Sequence, residues 1–548
     1  MQRKQIALLL FLLIYGAYVQ AQDVYAAQRP GWIQKAEGYK PTLDTTLKSP
    51  VGVVQVIQDE ASFQNVKARH VNSVPDLNKL LLKKDSSFVL DFGTHLVGYL
   101  QFFVKADPGA DAPLQLRLTF GEVPLELTAS FDDYKGSLSK AWLQQEVITI
   151  DVMPDTVRLP RRYAFRYVKV ETLSASAYYT ASMGHLRCKS VTSADKDAFG
   201  AAPVPNDFKT IQDVSLLTLK NCMQTVFEDG PKRDRRLWIG DLKLQALASY
   251  YSFQDTALVK RCLYALAATA HPNGLLYGTL FEKPMLHPQQ HHPIDYCLLF
   301  NSTLADFYAA TKDLKTAAEL WPVALQQVQH AIPQINKEGL FELSKQWWVF
   351  VDWNEQLDKT TALQGIVTFC LQETYDLAKQ LGRESDVRQL PALIAKMKAA
   401  SRRYLFDKKL QLFVSGKDRQ VSTASQVWMV LSKTVFGTEA AKVMASLGKT
   451  KQVLKPVSPY LYHYLVEAYC TTGMYNNARF LLSDYWGGMI RKGADTFWEV
   501  YDPTNDFLSP YNSAIINSYC HAWSCTPVYF LRKYGGALFQ AKALKVKQ

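Results

Sequence analysis

The sequence predicts two units of different class: an N-terminal antiparallel β-sandwich followed by an all-α region whose helix count and pairing fit an (α/α)6 toroid. Three observations predict this. From about residue 23 to 196, short runs alternate apolar and polar residues and end at turn residues. From about residue 205 to 533 the apolar spacing becomes helical, giving about a dozen helices in pairs whose joining loops are alternately short and long. No motif recurs at a fixed period, although helix periodicity alone also fits a superhelical repeat array. The reading divides the chain into 1–21, a leader; 22–200, the β-sandwich; 201–535, the toroid; and 536–548, a short basic tail.

The leader is Met1-Gln-Arg-Lys, an apolar run Ile6–Tyr15, and Ala17-Tyr-Val-Gln-Ala21. A basic start, a short apolar core and small residues before a cut after Ala21 are the pattern of a secretory signal. The run is too short to span a bilayer, and no later stretch is long and apolar enough. The mature protein is therefore expected to be exported, periplasmic or extracellular, without a membrane span.

In the first unit, Phe88-Val-Leu-Asp-Phe-Gly93 reads as a short strand ending at a glycine turn. Leu114, Leu116, Leu118 and Phe120 alternate with Gln115, Arg117 and Thr119, giving one buried and one wet face. Tyr167-Val-Lys-Val-Glu171 is another strand. In the second unit, candidate helices include Thr210–Val226, Asp241–Phe253, Cys297–Ala310, Ser385–Leu405 and Ala514–Tyr534.

Composition narrows the classes. With 48% hydrophobic and 20% charged residues the chain is an ordinary globular protein of two or more domains. The net charge of +12 is dispersed, without a basic tract or nucleic-acid motif, so nucleic acid is not an expected partner; an anionic polymer remains compatible. Eight cysteines are scattered, mostly inside apolar patterns, with no zinc spacing. Cys520 and Cys525 are near enough to pair, but a chain this large needs no disulfide. No metal or cofactor is expected.

Long polar loops at Glu228–Asp241, Pro272–Pro293, Trp347–Asp358 and Ile490–Ser509 hold most of the clustered Asp, Glu and Trp of the helical region. In a toroid such loops can converge at one mouth, and function tends to sit on loops held by a rigid scaffold. The densest is Asp229-Gly-Pro-Lys-Arg-Asp-Arg-Arg-Leu-Trp-Ile-Gly-Asp241. Read from its residues, it is either a sugar site or a surface loop of mutual ion pairs. For the former, carboxylates would accept hydroxyl hydrogen bonds, Arg233 would donate a fork of them, and Trp238 would offer a flat face.

This loop resembles the signature of the bacterial α-L-rhamnosidases of glycoside hydrolase family 78. Asp229, Pro231, Arg233, Trp238, Gly240 and Asp241 fall in register with it. Three later segments resemble the same family in order. Asp352-Trp353 is similar to its Asp-Trp on a loop lining the sugar pocket. Gly493-Ala-Asp-Thr-Phe-Trp-Glu499 is similar to the segment carrying its general base. Ser518-Tyr-Cys-His521 is similar to a late Ser-x-x-His segment. A weaker likeness, His287-Pro-Gln-Gln-His-His-Pro-Ile-Asp-Tyr296, places Asp295 at the pocket; its prolines argue against a ligand-bearing metal helix. The segment Leu90-Asp-Phe-Gly with Gly98-Tyr-Leu is similar to the family's accessory β-domain, which either binds glycan or buttresses the catalytic unit.

The resemblance implies hydrolysis of terminal α-L-rhamnosides, or of a similar deoxysugar, with inversion. Residues 201–535 would be the catalytic domain and a rhamnose-containing glycan or glycoside its partner. Asp234 would be general acid and Glu499 general base. Asp229, Arg233, Trp238, Asp241, Asp295, Trp353 and His521 would bind the sugar. The family's acid is Glu, one methylene longer than Asp234. Either a shifted backbone restores its reach, or Glu228 or Asp241 is the acid, or the chain binds glycan without turnover. Another toroid enzyme, such as a polysaccharide lyase, is the remaining alternative.

Overall fold

The computed structural model describes residues 23–71, 76–107, 113–195 and 203–542. The leader 1–21, the boundary near residue 200 and residues 543–548 of the tail lie outside the described residues. Ten strands form one antiparallel sheet: β1 (Asp44–Lys48), β2 (Gly52–Gln58), β3 (Val66–His70), β4 (Leu80–Leu82), β5 (Ser87–Asp107), β6 (Leu114–Gly121), β7 (Gln145–Ile150), β8 (Asp155–Arg158), β9 (Tyr163–Ser174) and β10 (Thr180–Thr192). The main order is β1-β10-β5-β9-β6-β7; β2 joins β3 to β5, β4 pairs with β10 and β8 with β5. β5 is the spine. Its first half pairs with β2 and β9, its second with β8 and β10, and its register against β9 shifts between Asp91 and Leu96. The alternation read in β6 is physical: Leu114, Leu116, Leu118 and Phe120 are fully buried, in a core shared with Leu90, Phe102, Phe165 and Val168.

The segment before β1 departs from the strand reading. Arg29–Gly38 is a helix that carries Pro30 in its first turn and buries Trp32 and Ala36, one turn apart. It packs on helix Thr256–Ala268 of the second unit, where Arg261 donates to the Ala36 carbonyl, and Lys35 pairs with Glu319. Two buried contact residues one turn apart carry too little pattern to announce such a helix.

Among the described residues, twelve helical runs build a double ring. Six form an inner ring: Ile239–Tyr250, Ile294–Thr311, Thr360–Leu381, Thr423–Leu431, Pro459–Thr471 and Pro527–Lys533. The first five pack each on the next, and Pro527–Lys533 packs back on Ile239–Tyr250. Tyr529 closes the last gap by donating to Glu467, 3.1 Å. The outer helices are Asn206–Cys222, Thr256–Ala268, Leu314–Ala331, Leu390–Ala400, Gly437–Lys449 and the run Tyr475–Leu481, Leu482–Trp486, Gly487–Arg491. Outer and inner helices alternate along the chain, and the ring closes on itself, which excludes an open repeat array. Side-chain caps start several helices: Asp255, Asp313, Ser422 and Ser458 each accept a backbone N–H from the first turn. Connections from inner to outer helices are short, those from outer to inner helices long. The long loops and the N-termini of the inner helices therefore share one rim. No helix among the described residues is long and apolar enough to cross a membrane. The tail read from residue 536 begins as a helix, Gly535–Gln540, with Leu538 buried.

Candidate active site

The loop Glu228–Asp241 connects Asn206–Cys222 to Ile239–Tyr250, and close approach fixes its shape. A Cβ at Gly230 would sit 2.5 Å from the Arg233 carbonyl, and one at Gly240 would sit 2.3 Å from the Tyr296 ring. Asp229 acts as the loop's internal template: its carboxylate accepts from the Asp234 and Arg236 N–H groups at 3.3 and 3.1 Å. A three-stranded patch, Leu237–Trp238, Thr279–Phe281 and His287–Pro288, carries Trp238 to the rim. Trp238 stands edge-on to Tyr296, ring centres 6.4 Å apart.

One cavity of about 580 Å³ opens at this rim, within the range of small-molecule sites. Asp229, Arg233, Asp234, Trp238, Asp241, Trp353, Glu499 and His521 all line it. The organising contact is Arg233. Its Nη2 donates to Glu499 Oε2, its Nη1 lies 3.5 Å from Asp234 Oδ1, and its Nε donates to the Ile516 carbonyl at 3.2 Å. The guanidinium also lies over the Tyr511 ring, 4.2 Å from its centre. One cation thus reaches both carboxylates across 266 residues of sequence. Glu499 further accepts the Tyr511 hydroxyl, and its backbone carbonyl accepts Trp523 Nε1 at 3.0 Å.

The electrostatics follow from burial. Burial pushes the Asp229 carboxyl up to about 8, with Asp234 adding to the effect. Burial also raises Asp241 well above the carboxylate range, with Asp229 contributing. Burial raises Glu499 while Arg233 and the Tyr511 hydroxyl pull it back. His521 is held well below the usual imidazole value by burial, then by Arg233. His521 Nδ1 and Asp241 Oδ1 lie 3.8 Å apart, and neither has a hydrogen-bond partner; nor has Trp353 Nε1. With Arg236 Nε these make four buried polar atoms without partners in residues around one cavity, which are costly unless a ligand satisfies them.

Other expectations are corrected. Asp295 does not line the cavity; its Oδ2 accepts the Phe350 and Val351 N–H groups, both at 3.0 Å, so it shapes the loop behind the wall. Asp352 is likewise spent on structure, accepting from Val457 N and from Ser458 N and Oγ. Glu228, an alternative acid, is held by Arg162 at 2.7 Å through both oxygens and is absent from the lining. Arg235 turns to Lys232 O and Gln144 rather than to the cavity, whereas Arg236 lines it. His521 lies in extended backbone (φ −135°, ψ 121°), not in a helix; of the run Ala514–Tyr534, only Pro527–Lys533 is α-helical. His292 contacts Leu276 O and His287 contacts Met285 O, while His291 lines the cavity. Among the described residues no group of His, Cys, Asp or Glu is placed to hold a metal. Cys520 and Cys525 are free and buried.

Sequence reading missed part of the wall. Tyr511, Trp523 and Trp348 belong to the lining, and so do Leu138 and Trp142 of the β-domain. Trp142 packs in a cluster with Tyr511, Ile515 and Trp353. The β6–β7 connection thus reaches across to the rim.

Comparison with known proteins completes the picture. Residues 50–190 match the glycosyl hydrolase family 78 alpha-rhamnosidase N-terminal domain, and residues 205–534 the bacterial alpha-L-rhamnosidase 6 hairpin glycosidase domain. No curated protein matches the chain. A solved rhamnosidase from Klebsiella oxytoca with rhamnose bound is 40% identical and superposes with a TM-score of 0.89, over 92% of this chain and 99% of that one. A family 78 rhamnosidase of Bacillus sp. GL1 gives a TM-score of 0.73 at 20% identity, over 86% and 49% of the two chains. An alpha-L-rhamnosidase from Streptomyces avermitilis complexed with L-rhamnose gives 0.60 at 17%, over 86% and 46%. The last two likenesses speak for the fold alone. With both domains matched in order, the chain belongs to glycoside hydrolase family 78, the bacterial α-L-rhamnosidases.

Proposed function

We propose that the protein is exported and hydrolyses terminal α-L-rhamnosides with inversion, Asp234 acting as general acid and Glu499 as general base. The observation that carries this reading is Arg233 linking Asp234 and Glu499 within one cavity. Cleaving the acetal needs a proton on the leaving oxygen and a base that activates water on the opposite face of the ring. Asp234 is the more exposed carboxylate, set at the rim where a leaving group departs. Glu499 is enclosed, and Arg233 and Tyr511 orient it while burial raises its basicity above that of an ordinary carboxylate. The sugar hydroxyls are the partners that Asp241 Oδ1, His521 Nδ1 and Trp353 Nε1 lack, and Trp238 supplies an apolar face. The Klebsiella oxytoca protein, whose solved structure holds rhamnose, supports the choice of sugar.

Incubation with 4-nitrophenyl α-L-rhamnoside, followed by proton NMR of the first-formed anomer, tests the proposal. Release of β-L-rhamnose is the expected outcome; release of the α-anomer overturns inversion. Glu499→Gln is expected to remain folded and to lose at least about 100-fold in turnover, the usual worth of a positioned base. Saturable rhamnoside binding without turnover by the wild type would assign the chain to glycan binding instead. Export, supported by the pattern of residues 1–21, is tested by fractionating cells and sequencing the mature N-terminus; a cytoplasmic, uncut chain refutes it.

A further inference from the structure

Trp348 lines two spaces at once. One is the catalytic cavity; the other is a second hollow of about 680 Å³ bounded also by Phe341, Leu343, Trp347, Asp358 and Lys359. Trp348 is 43% and Leu343 45% exposed, and Trp347 is half-buried. Apolar side chains scattered singly on a surface need no explanation, but a contiguous group marks a ligand groove. The exposed indole is also mounted rigidly. Trp348 pairs with Pro293 in a parallel bridge, its N–H donates to the His292 carbonyl at 3.3 Å, and its carbonyl accepts Ile294 N at 3.0 Å. The loop beneath is pinned at Val349 O, which accepts Lys359 Nζ at 3.0 Å, and at Phe350 and Val351 by Asp295. A large indole held out on fixed backbone costs little entropy when a ring stacks on it.

We propose that this hollow binds the sugar units next to the cleaved rhamnoside, so that the natural substrate is a neutral oligosaccharide or glycan chain rather than a rhamnoside of a small aglycone. The occupant follows from continuity: a chain whose terminal sugar enters the catalytic cavity meets the second hollow at their shared wall, Trp348. The lining fits sugars, with indole and leucine surfaces for the ring faces and Glu342, Asp358 and Lys359 at the edges for hydroxyls. Two acids beside one lysine give no preference for an anionic chain. The inference rests on the rhamnosidase reading given above.

The test compares 4-nitrophenyl α-L-rhamnoside with a neutral tetrasaccharide capped by α-L-rhamnose, using wild type, Trp347→Ala and Leu343→Ser. Both variants are expected to raise KM for the tetrasaccharide, Trp347→Ala by about tenfold and Leu343→Ser by a few-fold, with kcat/KM for the aryl rhamnoside unchanged. Leu343 is exposed enough for its variant to fold even if Trp347→Ala does not. Equal losses on both substrates, or no change on the tetrasaccharide in Leu343→Ser and a folded Trp347→Ala, overturn the proposal. If the wild type cleaves neither substrate, the hydrolase reading fails separately. Titration with the tetrasaccharide, followed by tryptophan fluorescence, then decides the hollow: binding weakened at least fivefold by Leu343→Ser or Trp347→Ala upholds it, and unaltered binding overturns it.

Discussion

Lys232, one residue before the arginine that organises the site, is wholly buried and paired with Glu126 of the β-domain. Its Nζ also donates to the Ile515 and Asn517 carbonyls at 2.9 and 2.8 Å. Glu126 in turn accepts the N–H groups of Glu122 and Val123 at 2.7 and 3.0 Å. The loop Glu228–Asp241 is therefore fastened to the other domain by a fully enclosed cation. Removing one partner of such a pair strands the other, at a cost of about 3–5 kcal/mol. Lys232→Met is expected to lower stability by that order in urea unfolding. Lys232→Met/Glu126→Gln is expected to recover part of the loss. Additive losses in the double variant would refute the coupling.

Asp229 gives a pH dependence whose sign is fixed by its raised titration. The folded carboxyl titrates near 8, the unfolded one near 4. Between these values the folded state holds a proton that the unfolded chain has released. Stability from this group is thus full below about pH 4 and declines as pH rises toward 8, by at most about 1.4 kcal/mol per pH unit. Asp229→Asn is expected to flatten this fall, measured as the difference in Tm between pH 5 and pH 8. An unchanged difference would show that Asp229 is not the group responsible.

His521 works in the opposite direction. Its folded value lies well below the unfolded 6.5, so stability is lost as pH falls below about 6.5, where the unfolded imidazole gains a proton first. His521→Gln is expected to relieve that acid-side loss while raising KM for the aryl rhamnoside by about tenfold, the worth of one lost hydrogen bond. A variant with unchanged KM would remove His521 from the sugar's contacts.

Asp234 is the short acid of the pair. Lengthening it by one methylene while Arg233 stays fixed displaces the carboxyl, and a displacement of about 1 Å costs on the order of 100-fold in rate. Asp234→Glu is expected to lower kcat by that order. Asp234→Asn should retain more activity on an aryl leaving group, which departs without a proton, than on an alkyl glycoside. Equal losses on the two leaving groups would argue against an acid role.

Trp142 tests the reach of the β-domain. Trp142→Ala opens the cavity wall and loosens the cluster with Tyr511, the hydroxyl donor to Glu499. A reduction in kcat/KM with both domains still folded by circular dichroism is expected. Wild-type kinetics would reduce the β-domain to a distant support.

The parts legible in sequence are those whose pattern is local. The alternation in β6 and the alternating loop lengths of the helical unit describe the fold because each reports its own neighbourhood. The loop Asp229–Asp241 and Glu499 stood out because several charged and aromatic residues crowd a short stretch. What escaped depends on contacts distant in sequence. Leu138 and Trp142 enter the wall from another domain, and nothing near them says so. Asp295 has the right residue type, yet backbone N–H groups at 350 and 351 hold its Oδ2 behind the wall. The run before Pro527 has the apolar density of a helix because it is buried on every side, and density without period does not fix a conformation.

The closure of the inner ring sets an order of assembly. Ile239–Tyr250 finds its last neighbour only in Pro527–Lys533, nearly 280 residues later. Until that helix leaves the ribosome, the ring stays open beside the segment bearing His521. A premature stop before Pro527 should yield an inert polypeptide rather than a weakened enzyme, and hydrolytic competence should appear only once Pro527–Lys533 has been made.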